Sequence, residues 1–178
     1  MLAIALLLWA VWLHTDGPLA QPSVGTESGP PVRSVTVSRS ATARALLANR
    51  RLSLTPQARR DLQRGAVDPR LIRVLGGLLK EHRLAVSVFR TGHTKYVAGT
   101  GRVSNHYLGR AADIWQVDGG HVRAGHGPSR RAVAWLTKVR GPNRPTEVGS
   151  PFREFDHGAG DGVFTDPAHR DHIHVAVG

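Results

Sequence analysis

Histidine and aspartate residues occur at spacings that suit metal binding in two parts of this sequence. The segment SNHYLGRAADIW, residues 104–115, places His106 and Asp113 seven residues apart and surrounds the aspartate with small apolar residues. A buried carboxylate without a partner is costly enough that it usually takes up a proton or binds a cation. The segment DHIH, residues 171–174, adds two histidines near the C-terminus. We therefore expect a cation to neutralise Asp113.

The two C-terminal histidines are expected to lie on one face of a β-strand. In a strand, His172 and His174 point to the same side, while the residues between and after them point to the core. A catalytic zinc site typically has three protein ligands and leaves one position for water. The sequence has no cysteine, so thiolate ligands are excluded. His106, Asp113 and one of the two histidines would complete such a set.

Three helices are predicted between residues 41 and 83 from apolar spacing and end signals. The segment 41–52 has helical spacing throughout. Thr55 and Asp68 are each followed by proline, a pattern typical of a helix N-cap and first turn. The helix that starts after Thr55 is expected to end at Gly65. These elements form the N-terminal part of the predicted domain.

The second half of the chain is predicted to be richer in strands. One more helix is expected at 128–141, with Ser129 as its N-cap and Gly141 as its stop. Strands are expected at LAVSVF (84–89), GRAADIWQV (109–117), TEVGS (146–150) and HIHVAV (172–177). Because helices come first and strands gather later, the predicted class is α+β, with N-terminal helices packed on a mainly antiparallel sheet that carries the metal cleft.

The N-terminal residues differ in composition from the rest of the chain. MLAIALLLWAVWL is an unbroken apolar run of 13 residues, shorter than the roughly 20 that span a bilayer. We expect 1–20 to be a signal peptide or membrane anchor, 21–35 to be a linker, and 36–178 to form one domain. A buried N-terminal helix is the alternative. The leader predicts a secreted or envelope-associated bacterial protein that meets the membrane only through this segment.

The charge of the chain favours anionic partners. The formal net charge is +11, and 21 of the 24 basic residues are arginine. Such a balance favours polyanions, namely nucleic acid, acidic lipid or the acidic polymers of a cell wall. The arginines are scattered and do not alternate with aromatic residues as in proteins that grip single strands. Nucleic-acid binding is therefore the least favoured hypothesis.

Both metal segments resemble motifs of a known peptidase family. The run SNHYLGRAAD, which begins at Ser104, is similar to the SxHxxGxAxD signature of zinc D-Ala-D-Ala carboxypeptidases and related peptidoglycan endopeptidases. DHIH resembles the second metal motif of that family, which shares a superfamily with lysostaphin and the hedgehog signalling domain. The resemblance covers about residues 83–178. It implies a hedgehog- or D,D-peptidase-like fold with Zn²⁺ bound by His106, Asp113 and His174.

The resemblance also implies the roles of three further residues. The family's general base lies three residues before the last ligand, which is Asp171 here. His172 is the alternative base, because branches with an HxH motif use the first histidine near the reacting carbonyl. We favour Asp171. Arg90, in VFRTGH, stands where the family often carries an arginine and would bind substrate or stabilise the oxyanion.

The activity that follows from the resemblance is hydrolysis of peptide bonds in peptidoglycan stem peptides by a metal-activated water. D,D-carboxypeptidase and endopeptidase action use the same ligands, so both stay open. The alternative is a non-catalytic, zinc-bearing domain of the same fold that binds cell wall or protein. Such a domain would not need the carboxylate that this chain has at Asp171.

Overall fold

The structure is a computed structural model that describes residues 41–158 and 160–178. The predicted leader (1–20) and linker (21–35) lie outside the described residues, as do the first residues of the predicted domain, 36–40. Among the helices of the described ranges, none combines the length and the apolar character needed to cross a bilayer.

The described chain contains four α-helices and seven β-strands, which confirms the α+β class. In chain order the elements are α1 (41–47), β1 (Leu52–Leu54), α2 (Pro56–Gln63), α3 (Pro69–Leu78), β2 (Leu84–Val88), β3 (Ala111–Val117), β4 (Gly120–His121), α4 (Gly127–Lys138), β5 (Glu147–Gly149), β6 (Val163–Phe164) and β7 (Ile173–Ala176). Short 3-10 helices occur at Gly141–Asn143, Arg153–Phe155 and Pro167–His169.

Helices α2 and α3 begin as their capping residues predict. The Thr55 hydroxyl accepts a hydrogen bond from the backbone N–H of Ala58 at 3.2 Å. The Asp68 carboxylate accepts one from the N–H of Arg70 at 2.8 Å. Two residues after the end of α2, Gly65 has a φ of +69°, a left-handed conformation that favours glycine. Local chemistry therefore sets both helix starts and the end of α2.

Helix α4 is present as predicted, but both of its predicted end signals are wrong. It begins after His126, and Ser129 lies buried in its first turn, where the hydroxyl is 2.7 Å from Nδ1 of His126. The side chain of Ser129 thus bonds to the residue in the cap position instead of capping the helix itself. The helix ends at Lys138 because the next residue is extended, so Gly141 starts a separate 3-10 turn.

The sheet of the described residues is mixed: four of its six strand pairs are antiparallel, as expected for most of the sheet, and two are parallel. Its order is β1-β2-β3-β7-β5-β6, with β4 also paired to β3. The pairs β2–β3, β3–β4, β3–β7 and β5–β7 are antiparallel. The pairs β1–β2 and β5–β6 are parallel. The chain returns from β1 to β2 through α2 and α3, the kind of crossover that parallel pairing requires.

The helices pack on the sheet through one apolar core. Helix α3 contributes Leu71, Leu75 and Leu78, which are all fully buried. Ile114 of β3 and Ile173 of β7 belong to the same cluster. This core fixes the two central strands, and with them the polar residues that lie opposite each other on β3 and β7.

A buried carboxylate on α2 anchors the chain just after β2. Asp61 is 1% exposed and accepts hydrogen bonds from the backbone N–H groups of Arg90 (3.0 Å) and Thr91 (2.7 Å). The Thr91 hydroxyl (2.6 Å) and the Arg64 guanidinium (3.0 Å) complete the set. Burial alone would raise the pKa of Asp61, but the hydrogen bonds from Thr91, Arg90 and Arg64 outweigh it and lower the pKa.

Replacing Asp61 with alanine is expected to lower the free energy of unfolding by about 3 kcal/mol, because the N–H groups of Arg90 and Thr91 and the Thr91 hydroxyl lose their acceptor. The folded pKa lies below the unfolded value, so the carboxylate stabilises the fold above about pH 3.9 and loses this effect as pH falls through the folded pKa. Urea unfolding should therefore show a difference between wild type and Asp61→Ala at pH 7 that narrows in acid. Arg64→Gln, which removes a mostly exposed partner, should cost only about 0.5 kcal/mol. Equal stability of Asp61→Ala and wild type at pH 7 would contradict this account.

Candidate metal centre

Two elements place the ligand candidates. Asp113 on β3 lies directly opposite His174 on β7 in the strand register, so their side chains are neighbours. His106 reaches them from the loop before β3. Gly109 turns that loop with a φ of +70°, and a Cβ there would collide with the carbonyl oxygen of Ala66. Glycine is therefore required where the chain returns from His106 to Asp113.

The side chains of His106, Asp113 and His174 converge on one point. Nε2 of His106 lies 3.1 Å from Oδ1 of Asp113 and 3.1 Å from Nδ1 of His174. Nδ1 of His174 lies 3.2 Å from the same Oδ1. Only 2%, 14% and 10% of these three side chains are exposed. The group could hold a metal ion, and it joins the residues that the sequence pattern singled out.

The size of this triangle fits a zinc ion. Tetrahedral zinc with bonds of about 2.0–2.1 Å to nitrogen and oxygen separates its ligand atoms by about 3.3–3.4 Å. The three observed separations are 3.1, 3.1 and 3.2 Å. All three residues also line a cleft of about 780 Å³, which leaves room for a fourth, non-protein ligand.

Hydrogen bonds outside the triangle determine which ring nitrogens face it. Nδ1 of His106 is 2.7 Å from the carbonyl oxygen of Phe89, so we assign the N–H to Nδ1 and the lone pair to Nε2. Nε2 of His174 is 3.3 Å from Oε2 of Glu147, which leaves the lone pair on Nδ1. With Asp113, three acceptors then face one another. Such an arrangement needs a cation between them, either a metal ion or a proton.

Without a metal ion, a proton on His174 meets this need. Burial lowers the pKa of His174, but the carboxylates of Asp113 and Glu147 outweigh burial and raise it to about 9. Burial raises the pKa of Asp113, but hydrogen bonds with His106 and His174 hold it well below its usual value. At neutral pH the cluster therefore combines an ionised carboxylate with a His174 cation, and metal binding would displace that proton.

Glu147 is a functional candidate that sequence reasoning missed. Its carboxylate lies between Nε2 of His174 (3.3 Å) and the guanidinium of Arg102 (3.1 Å). The hydrogen bond from His174, although opposed by burial, lowers the pKa of Glu147 to about 2, so the side chain stays ionised. Its segment TEVGS has no motif, and it lies beside His174 only because β5 pairs with β7.

Glu147→Gln is expected to weaken zinc binding by about 10- to 100-fold, because outer carboxylates orient a ligating imidazole and raise its basicity. Competition with a chromogenic chelator measures this change. Glu154→Gln is the matched control, since Glu154 is an exposed carboxylate paired with Arg130 and does not line the cleft. Equal zinc affinity in the two variants would show that Glu147 has no role in the site.

His172 faces the triangle from the cleft. Its Nδ1 is 2.9 Å from Oδ1 of Asp171, and its Nε2 is 3.8 Å from Oδ1 of Asp113. The side chain of Asp171 is 87% exposed, whereas that of His172 is 22% exposed and lines the cleft. The hydrogen bond with His172 lowers the pKa of Asp171. Asp171 therefore contacts the site through the His172 ring.

Arg90 and Arg102 occupy different positions relative to the cleft. Nε of Arg90 donates to the carbonyl oxygen of Tyr107 at 3.0 Å, and its guanidinium lies 5.7 Å from the centroid of the Tyr107 ring. Arg90 is not among the described residues that line the cleft, whereas Arg102 is. The side chain of Arg102 is 67% exposed and is held by Glu147. A direct role of Arg90 on substrate stays a prediction.

Two further histidines form walls of the cleft. His93 stacks on His106 with ring centroids 4.2 Å apart, and burial followed by the repulsion of His106 lowers its pKa. His169 lies 5.0 Å from the ring of His172, and burial lowers its pKa despite a hydrogen bond to Asp166. Both walls therefore present neutral imidazoles at pH 7.

Taken as a class, this is an α+β protein with a buried His/Asp/His group that could hold a metal ion. Comparison of the chain with protein-family models, with curated proteins and with solved structures gave no match. The observations that bear on its function are therefore the geometry of the site and the sequence motifs.

Proposed function

We propose that the protein is a zinc-dependent peptidase that hydrolyses peptide bonds in the stem peptides of peptidoglycan. The observation that carries this proposal is the triangle of His106, Asp113 and His174 at the wall of a 780 Å³ cleft. The resemblance of SNHYLGRAAD and DHIH to the metal motifs of zinc D-Ala-D-Ala carboxypeptidases supports the choice of substrate. Secretion or attachment to the cell envelope belongs to the same proposal, since that substrate lies outside the membrane.

The donor set favours zinc over the common hard cations. Calcium and magnesium prefer six or more oxygen ligands, whereas two imidazoles and one carboxylate suit zinc. When bound, zinc lowers the pKa of a water ligand to about 7 and polarises a carbonyl oxygen. His106 and His174 would supply nitrogen ligands, and Asp113 would supply an oxygen ligand whose negative charge the bound metal would offset.

His172 is the general base in this proposal, and Asp171 is its positioning residue. The family resemblance favoured Asp171, but the His172 ring points into the cleft and Asp171 lies behind it. Nδ1–H of His172 donates to Asp171, so Nε2 has the lone pair that accepts a proton from the attacking water. The same nitrogen then donates the proton to the leaving amine.

Two arginines have separate roles in the proposal. Arg102, held in the cleft by Glu147, binds a carboxylate or carbonyl oxygen of the substrate through its exposed guanidinium edge. Arg90 acts less directly, because its hydrogen bond fixes the carbonyl of Tyr107, the residue next to the ligand His106. Arg102→Gln should therefore raise KM more than Arg90→Gln does.

Defined stem peptides that end in D-Ala-D-Ala, incubated with the zinc-loaded protein, test this function by mass spectrometry of the products. Release of one D-Ala identifies a carboxypeptidase, and cleavage within the stem or cross-bridge identifies an endopeptidase. His106→Ala should abolish either product, while His121→Ala, a change at an exposed histidine outside the cleft, should not. One equivalent of bound zinc without any product would contradict the peptidase and favour a zinc-bearing binding domain.

A further inference from the structure

A second cavity lies between the end of α4 and the residues Phe155, His157, Asp161 and Val163. Its volume is about 560 Å³, and it shares no lining residue with the metal cleft. The residues that matter for its chemistry are Lys138, Arg140, Arg144, Phe155, Asp161 and Val163. None of them belongs to the proposed catalytic machinery, so this cavity needs its own explanation.

The cavity concentrates positive charge. Lys138, Arg140 and Arg144 bring three permanent cations against the single carboxylate of Asp161. Within the described ranges, no carboxylate lies within 4.0 Å of any of these three cations, whereas Arg64, Arg70, Arg102 and Arg130 each have such a partner.

The hydrogen bonds of Arg140 and Arg144 leave most of their N–H donors free. Arg140 donates through one nitrogen to the carbonyl oxygens of Thr137 (2.7 Å) and Val139 (3.1 Å). Arg144 makes one long contact, 3.4 Å, with the carbonyl oxygen of Asp161. A guanidinium has five N–H donors, so most of those in the cavity remain available to a ligand.

The carboxylate of Asp161 and the apolar residues of the cavity do not pair with its cations. Oδ1 of Asp161 accepts a hydrogen bond from the backbone N–H of Val163 at 2.8 Å, so the carboxylate holds the loop instead of pairing with a cation. Phe155 and Val163 supply an apolar wall beside the charges. The cavity therefore offers several cationic donors next to a surface for an uncharged group.

We propose that this cavity binds a phosphate group, either as free phosphate or as the phosphodiester of an organic chain that packs on Phe155 and Val163. Arginine pairs with phosphate through two parallel hydrogen bonds, and a phosphate has enough oxygens to contact more than one cation. A carboxylate has only two oxygens and is satisfied by one guanidinium. The site is independent of the proposed peptidase activity.

Calorimetric titration of the full chain in EDTA tests this site without interference from zinc. The probes are inorganic phosphate, an oligomer of glycerol phosphate, and acetate as the carboxylate control at the same ionic strength. Phosphate or the oligomer should bind saturably and acetate should not. Tighter binding of the oligomer identifies a phosphodiester chain as the occupant, and tighter binding of inorganic phosphate identifies the free ion.

The double variant Arg140→Gln/Arg144→Gln should weaken phosphate binding by at least about tenfold, since charge-assisted hydrogen bonds are lost. The matched control is Arg59→Gln/Arg60→Gln, which removes the same charge from exposed positions of α2 outside the cavity. All four arginines are exposed, so far-UV circular dichroism should show unchanged folding. An equal loss in both double variants, or no saturable phosphate binding by wild type, would overturn the proposal. The proposal would also be overturned if the protein bound duplex DNA but neither phosphate probe, and if both double variants weakened that binding equally.

Discussion

Asp113→Asn is expected to lower the affinity for zinc by at least about 100-fold, beyond the 10- to 100-fold that the loss of an outer partner costs. The carboxylate of Asp113 is the only charged member of the triangle when both histidines are neutral ligands. The amide keeps the shape of the side chain but loses the negative charge that offsets the metal. Peptide hydrolysis should be lost with the metal.

Thermal unfolding gives an independent measure of the same change. A ligand present at 100 times its Kd stabilises the folded state by about 2.7 kcal/mol, so zinc should raise the Tm of wild type clearly. The same zinc concentration should raise the Tm of Asp113→Asn little. The matched control is Asp118→Asn, because Asp118 also hydrogen-bonds a buried histidine, with Oδ2 at 2.8 Å from Nδ1 of His82, but lies outside the cleft. If zinc raised the Tm of Asp113→Asn as much as that of Asp118→Asn, Asp113 would not be a zinc ligand.

His172→Ala is expected to lower kcat by about 10²- to 10⁴-fold, the contribution typical of a general base. Its zinc affinity should stay within a few-fold of wild type, because His172 is outside the triangle of ligands. This combination, with chemistry lost and metal retained, distinguishes a base from a ligand. Retained kcat in His172→Ala would rule out the proposed role.

Asp171→Asn separates the two candidate bases. If Asp171 only positions His172, its replacement should cost less than the loss of His172 and should have no further effect in the His172→Ala background. If Asp171 is itself the base, as the family resemblance favoured, Asp171→Asn should lower kcat as much as His172→Ala does. Single-turnover rates with one stem peptide measure all four proteins of this cycle.

Local signals in the sequence were enough to predict the parts of the fold that depend on neighbouring residues. Thr55 and Asp68 cap α2 and α3 because each side chain reaches backbone N–H groups of the turn that follows it. The alternation of GRAADIWQV and HIHVAV predicted β3 and β7. The structure then brings together His106, Asp113 and His174, the set implied by the family resemblance.

Features that depend on long-range pairing were not predictable in this way. Glu147 joins the site only because β5 lies beside β7, and no sequence pattern states that order. Arg102 enters the cleft through its ion pair with Glu147, so it was missed with it. The parallel pairs at the two edges of the sheet, β1–β2 and β5–β6, were not predictable either, because strand direction depends on the path that the chain takes between the paired strands. The predicted N-cap of α4 was wrong because Ser129 bonds to His126 within the first turn, and its predicted end was wrong because Val139 is extended.

Anomalous diffraction at the zinc absorption edge, from crystals grown with zinc, tests directly whether His106, Asp113 and His174 hold a metal ion. We expect one strong peak about 2.0–2.1 Å from Nε2 of His106, a carboxylate oxygen of Asp113 and Nδ1 of His174. The peak should be absent from crystals of Asp113→Asn grown in the same way. A zinc-grown crystal with no peak inside this triangle, or with its strongest peak at other ligands, would contradict the account.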